Sequence, residues 1–274
     1  LSLAAAQDKL PVVFAEGRIG LPLQHTPSSH ILKPAISAVE GSVFNEGFCL
    51  ALAARMKLPA ATAAIHRVAD RVYLLVDRYD RVHQPGGDLQ RLHQEDFCQA
   101  LGIAPEYKYQ NEGGPDLAQC FALVRAATRP SAPHTLRLLD DVIFNALIGN
   151  HDAHAKNFSL IHTGRGAVLA PLYDALSTAV YENLTDKMAM KLGSKYKFTE
   201  VQVQHWEQFA QAAGLSPAQV KKRVLALARL LPTEAAALRS AFVAQGTDHP
   251  ILDEIVGLIE RRCQLTCKRL EARA

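Results

Sequence analysis

Residues 148–160 read Ile-Gly-Asn-His-Asp-Ala-His-Ala-Lys-Asn-Phe-Ser-Leu and set an acid, two histidines, a lysine and two amides between an apolar stretch of helical period and one of strand type. So polar a segment is not core. A helix must end and a strand begin around it, so that a rigid scaffold presents it at a surface where its backbone stays solvated. Two chemistries suit these residue types. Asp152 and Asn157 have the D-x-x-x-x-N spacing of a kinase catalytic loop, in which the acid accepts a hydroxyl proton and the amide binds magnesium. The run Gly149-Asn150-His151-Asp152 also suits a metal-dependent phosphoesterase, which needs further acids and histidines to bridge two metals. Those partners are missing: no Asp-x-His precedes the segment, and His162-Thr163-Gly164 supplies no later histidine pair.

The chain before this segment is built of short pieces. Residues 2–9, Ser-Leu-Ala-Ala-Ala-Gln-Asp-Lys, are mostly small and let backbone amides approach a ligand, as a phosphate-covering loop requires. An apolar stretch over 10–14 turns at Glu16-Gly17, and 20–27 is loop. A short strand over 30–33 stops at Pro34 with Lys33 near its end. Such a lysine is ordinarily a solvated edge residue; beside a small-residue loop it is a candidate phosphate contact. A helical pattern from Val43 ends at Leu58-Pro59, with Glu46 in its first turn, where an acid suits the helix dipole or pairs with Lys33. Strands are expected over 64–68 and 72–79, the second running into Asp77-Arg78-Tyr79-Asp80-Arg81, where a hinge between two lobes would lie.

Residues 83–114 read as a turn-rich connector holding a short helix over 94–101. Beyond it the period is helical over 116–127 and 135–147, and Gly149 stops the second helix. A hairpin over 158–162 and 167–170 follows the polar segment, then Pro171-Leu172-Tyr173-Asp174, so one acid precedes the hairpin and another follows it. Further helices are expected over 201–213, 218–230 (Ser216 as N-cap, Pro217 first), 233–244 and 250 to the end, with Trp206 in the core.

Composition narrows the class. The 274 residues are 49% hydrophobic and 21% charged, enough for one large domain or two lobes. A net charge of +3, with basic residues scattered among acids, gives no nucleic-acid footprint. Five cysteines at irregular spacing fit reduced thiols, and Cys263 with Cys267 lacks the second ligand pair of a zinc site. No apolar run has membrane-spanning length and the first residues do not read as a signal peptide, so the expected location is cytoplasmic, with no membrane partner. The chain starts at Leu1 and enters a patterned segment at once, which raises the expectation of sequence upstream.

Phosphoryl transfer asks a protein for a nucleotide cradle, a cation over the phosphates, magnesium ligands and a base at the acceptor hydroxyl. These occur in order as residues 2–9, Lys33 with Glu46, Asp152, and Asn157 with Asp174; the triplet Tyr173-Asp174-Ala175 lacks the glycine of an ordinary Asp-Phe-Gly. On these stretches, together with Thr-Pro-Ser-Ser-His-Ile-Leu-Lys (26–33), Asn-Glu-Gly-Phe-Cys (45–49), Val-Asp-Arg-Tyr-Asp-Arg (76–81) and Gln-Glu-Asp-Phe-Cys-Gln (94–99), the chain resembles the HipA-like serine/threonine kinases, toxins of bacterial toxin–antitoxin modules.

The resemblance implies an α+β, two-lobed protein-kinase-like fold: a small β-containing N-lobe (1–82, hinge at 77–81) and a larger, mostly helical C-lobe (83–274), with a catalytic loop at 149–159 and a metal-binding segment at 171–177. It implies Asp152 as catalytic base and Asn157 and Asp174 as Mg2+ ligands. ATP would contact Ala4, Ala5, Ala6, Gln7, Asp8, Lys9, Lys33, Asp77, Arg78, Tyr79, His154, Ala155, Lys156, Asn157, Tyr173 and Asp174, and Ser2 would be autophosphorylated. Ala5 stands where the family loop carries glycine. The implied partners are a helix-turn-helix antitoxin of HipB type, DNA only through it, an aminoacyl-tRNA synthetase as substrate, and, if the chain matches the shorter HipT relatives, a separate small HipS-like protein. Two other functions fit the same residues: a nucleotide-binding regulatory module without transfer activity, and a small-molecule kinase of similar fold.

Overall fold

Two adjacent residues of positive φ, Glu16 (52°) and Gly17 (73°), close the first hairpin of the computed structural model, which describes residues 8–23, 26–87 and 89–272. That backbone matches the right-handed twist of the strands it joins. The hairpin, β1 (Leu10–Ala15) and β2 (Arg18–Gly20), adds to β3 (His30–Pro34), and after α1 (Ser42–Arg55) come β4 (Ala63–Val68) and β5 (Arg71–Asp77). The five form one antiparallel sheet in the order β2-β1-β3-β5-β4, which makes β3 the central strand. Lys33 is thus no edge residue: it is paired with Leu74 of β5 and buried. α1 covers this sheet over β4 and β5, and also packs on the helices of the second lobe.

The second lobe begins with a small ribbon, β6 (Arg81–His83) with β7 (Leu89–Arg91), followed by β8 (His93–Asp96) and α2 (Phe97–Ala100). Here the sequence expectation of a helix over 94–101 is corrected. Gln94 to Asp96 pair with β9 (Ser159–Thr163), and only then does Asp96 cap a four-residue helix through a reciprocal box with Gln99. β10 (Gly166–Leu169) completes a three-stranded antiparallel sheet, so the expected hairpin acquires a third strand from sixty-odd residues upstream.

α3 (Leu117–Ala127) is capped by Asp116, and α4 (Ser131–Ile148) is the spine of the lobe, with every residue from Leu138 to Ile148 buried. α4 begins four residues before the expected start, because Pro133 sits within its first turn, where a missing N–H is harmless. A hairpin of β11 (Lys187–Leu192) and β12 (Lys195–Lys197) falls where the sequence analysis assigned nothing, although Met188, Met190 and Leu192 alternate as a half-buried strand does. α5 (Val203–Ala212), α6 (Pro217–Ala244) and α7 (Ile251–Glu271) complete the lobe. α6 runs through Pro232, where two helices were expected: Leu231 and Ala235 on either side are fully buried, and burial of that face outweighs one lost hydrogen bond. Trp206 is core, as expected, edge-on to Phe209. The result is a two-lobed α+β architecture, a β-sheet lobe with one covering helix beside a mostly helical lobe. No helix among the described residues is long and apolar enough to cross a membrane.

Candidate active site

The buried lysine of the central strand meets two acids from distant parts of the chain. Lys33 Nζ donates to Glu46 Oε1 at 2.5 Å and also to Asp174 Oδ1, while Lys9 Nζ reaches Asp174 Oδ2 at 3.2 Å. Burial would discharge Lys33, but the carboxylates of Glu46 and Asp174 outweigh it and hold the ammonium more firmly charged than an ordinary lysine. Burial would likewise protonate Asp174, yet Lys33 and Lys9 keep its carboxyl well below the usual range. Glu46, fully buried, is the weaker acid of the two, raised by burial against the pull of Lys33. It is the fifth residue of α1, and that helix has no acid in its first turn. The dipole reading therefore fails, and the Lys33 pairing accounts for Glu46.

Asp174 has φ +49°, a conformation rarely adopted by a residue with a Cβ. Just beyond it, Asn45 of α1 clamps the chain: its Oδ1 accepts from Ser177 N at 2.7 Å and its Nδ2 donates to Ser177 O at 3.0 Å. Asn45 is fully buried, so the helix that carries Glu46 also fixes the segment that carries Asp174.

Gly149 ends α4 at φ +78°, and the polar segment turns off beyond it. A Cβ there would lie 2.9 Å from Ala179 Cβ and from Leu258 Cδ2, so glycine meets both a conformational and a steric demand. Asn150 accepts from Asp152 N at 3.2 Å and donates to Asn145 Oδ1 at 2.8 Å, anchoring the loop to the spine helix. Asn157 Nδ2 donates to the Asp152 carbonyl at 2.9 Å, which leaves its Oδ1 for another partner. The Asp152 carboxylate itself accepts from the Tyr109 hydroxyl at 2.5 Å.

A cleft of about 410 Å³ opens beside these groups. Of the residues expected around a nucleotide, Lys9, Arg78, His154, Lys156, Asn157, Tyr173 and Asp174 line it, and Lys33 reaches it through Asp174. Asp8, Asp77, Tyr79 and Ala155 do not line it: Asp77 pairs with His30 at 2.9 Å, and Tyr79 packs on Tyr173 with ring centroids 5.8 Å apart. Ser2, Ala4, Ala5, Ala6 and Gln7 lie outside the described residues. Sequence reasoning missed Asp80, Arg91, Gln94, Asp96, Gln99 and Lys108, which long-range pairing brings to the same walls. Five cationic side chains (Lys9, Arg78, Arg91, Lys108, Lys156) face three acids (Asp80, Asp96, Asp174), a balance that favours a polyanion. His154 is held neutral, its ring lowered to about 3 by burial and then by Lys108.

The other polar histidine serves the fold. Arg262 donates to His151 Nε2 at 2.7 Å, which leaves Nδ1–H to donate to the Thr185 carbonyl at 3.0 Å. Burial and Arg262 lower this ring to about 4. Asp152 lines a second cavity of about 380 Å³, shared with Tyr109, Glu112, Lys187 and Tyr196. The donor types of Asn157 and Asp174, an amide oxygen and an ionised carboxylate on one cleft, are the hard oxygens that magnesium prefers, with Lys33 and Lys9 on the two Asp174 oxygens.

Residues 1–235 match the family model described as the HipA-like C-terminal domain. The kinase candidate Y4mE of Sinorhizobium fredii is 44% identical over 224 residues, covering 82% of this chain and 53% of that protein. The serine/threonine-protein kinase toxin HipA of Shewanella oneidensis is 28% identical over 251 residues, covering 85% of this chain and 56% of the toxin. The chain thus spans about half the length of the curated relatives it matches. In the solved complex of HipA, HipB and operator DNA from Shewanella oneidensis, one chain superposes with a TM-score of 0.89 at 24% identity, over 100% of this chain and 68% of that one. The Helicobacter pylori proinflammatory kinase CtkA shares the fold at a TM-score of 0.51 and 9% identity, over 95% of this chain and 93% of that one.

Proposed function

This chain belongs to the HipA-like kinase family, and from that premise we propose that it is an ATP- and magnesium-dependent protein serine/threonine kinase acting as the toxin of a toxin–antitoxin module. The observation that carries the reading is the joining of buried Lys33 and Glu46 to Asp174, 141 residues beyond Lys33, which together with Asn157 lines a cationic cleft. The five cations of the cleft would bind the nucleotide phosphates, with Lys33 held charged by its two acids. Bound magnesium, on Asn157 and Asp174, would neutralise charge on the transferred phosphoryl group. Asp152 faces the second cavity, which would admit the acceptor: its carboxylate would accept the proton of a serine or threonine hydroxyl as the oxygen attacks phosphorus. Asn150 and Asn157 hold the backbone that aims it.

By analogy with the HipA–HipB–operator complex, the partner proposed is a HipB-like helix-turn-helix antitoxin, with DNA reached through it. A separate HipS-like protein, an aminoacyl-tRNA synthetase as substrate, a cytoplasmic location and autophosphorylation of Ser2 rest on the family resemblance. The test is transfer of labelled phosphate to candidate synthetases. Asp152→Ala is expected to lower transfer at least a hundredfold with nucleotide affinity retained, consistent with the worth of general base catalysis. Equal labelling by both proteins would remove Asp152 from the mechanism, and nucleotide binding without turnover by the wild type would favour a regulatory module.

A further inference from the structure

Strand alternation gives the β8–β9 ribbon two faces. Gln94 and Asp96 point to the nucleotide cleft, where Gln94 Nε2 donates to Ser159 Oγ at 3.1 Å. His93 and Glu95 must then stand on the reverse face, and register pairs His93 directly with His162 across the ribbon. The three side chains bring one ligand atom each to within 4.8 Å of one another, and they are the one such trio among the described residues. Glu95 Oε1 already meets His162 Nε2 at 2.5 Å, and the two imidazoles lie with ring centroids 5.0 Å apart.

We propose that His93, Glu95 and His162 form a binding site for a divalent transition ion, zinc above all, on the face of the ribbon opposite the nucleotide cleft. Two imidazole nitrogens and one carboxylate oxygen make a borderline donor set that suits zinc, whereas calcium and magnesium prefer all-oxygen shells. Tetrahedral zinc, with bonds of about 2.0–2.1 Å, requires donors roughly 3.3 Å apart. Side-chain rotation alone closes the present spacing, because register and alternation have already placed the three Cβ atoms on one face. His93 is exposed and the other two are half-buried, so the fourth position opens to solvent and takes water. Three protein ligands and one open place is a recurrent zinc arrangement. The ion would staple β8 to β9 at their outer ends, while Asp96, at the other end, lines the cleft. The site is independent of the kinase reading, since none of its residues belongs to the transfer machinery.

The experiment is calorimetric titration of the untagged, intact protein with zinc in excess magnesium, paired with thermal melting with and without zinc. One equivalent is expected to bind and to raise the melting temperature, because an ion that binds only the folded chain stabilises it. His93→Ala and His162→Ala should each weaken binding at least tenfold and abolish the zinc-induced rise, with melting in the absence of zinc unchanged. If His162→Ala itself melts early, His93→Ala decides, its side chain being exposed. Cys267→Ser, at a half-exposed thiol, should bind as the wild type does. Cobalt(II) in place of zinc should give a four-coordinate visible spectrum without a thiolate charge-transfer band. No binding by the wild type, unchanged binding by the histidine variants, or loss of zinc on Cys267→Ser would each overturn the assignment.

Discussion

Tyr109 reaches Asp152 from a segment that shares no motif with it. Its hydroxyl donates to Oδ1 of the carboxylate, and its ring stands edge-on to His154 with centroids 5.3 Å apart. An acceptor that used this oxygen would replace a hydrogen bond to a charged group, worth about 1.5–3 kcal/mol. Tyr109→Phe keeps the ring against His154 and removes that competition. It is expected to raise kcat/KM for the acceptor about tenfold, corresponding to roughly 1.4 kcal/mol, with nucleotide affinity unchanged. Steady-state kinetics beside calorimetric nucleotide binding would check it; a fall in kcat would mean that Tyr109 orients the base instead. Asp152 and Asn157 were singled out in the sequence by their spacing, and Lys33, Glu46 and Asp174 by their order around that pair; the fold brings the last three into contact. Tyr109 and Lys108 were not, because nothing near them in sequence marks their arrival at the second cavity and at the cleft, and Asp96, within the stretch 94–99, was read there as part of a helix and not as a cleft residue.

Among the elements, α4 and α1 carry most of the organisation. α4 ends where it does because Gly149 takes positive φ with Ala179 and Leu258 packed against it, and the polar loop starts only after that turn. Gly149→Ala meets strain and overlap together. A loss of about 1–3 kcal/mol, read from denaturant melts, is the expected outcome, and transfer should fall further than stability as Asp152 is displaced. α1 couples the lobes through the Asn45 clamp on Ser177: Asn45 directly precedes Glu46, and Ser177 lies three residues beyond Asp174. Element boundaries were legible where capping chemistry marks them, as at Asp116 and Gly149, and were misjudged where burial overrides local preference, as at Pro232.

For the molecule as a whole, acid sensitivity depends on which buried groups keep their protons. The His151 ring titrates at about 4, and in the unfolded chain at about 6.5. Between these values the unfolded chain binds more protons, so this residue's contribution is complete above the upper value and is lost as pH falls toward the lower one, on the order of 3 kcal/mol in full. His154 acts in the same sense with its value near 3. Asp141 opposes them: burial lifts its carboxyl to about 7, so the folded state holds its proton more tightly and this contribution is lost as pH rises toward that value. A proton NMR titration is expected to leave the His151 ring resonance unmoved from about pH 7 to about pH 5, where an exposed histidine has titrated. A midpoint near 6.5 would mean that water, not the Arg262 and Thr185 contacts, surrounds that ring.

Local rules were enough to read several things from residue order alone: the strand-rich first part and helix-rich second part, the helix that stops at Gly149, the acid and amide five residues apart, and the second acid beyond the hairpin. Each of these depends on neighbours within a turn or two of chain. Only the folded molecule decided that Lys33 lies on a central strand, that Arg262 and the Thr185 carbonyl hold His151, and that Tyr109 holds Asp152. These depend on pairings across tens of residues or more, and whether a polar group is solvated, ion-paired or buried follows from what the whole chain places around it.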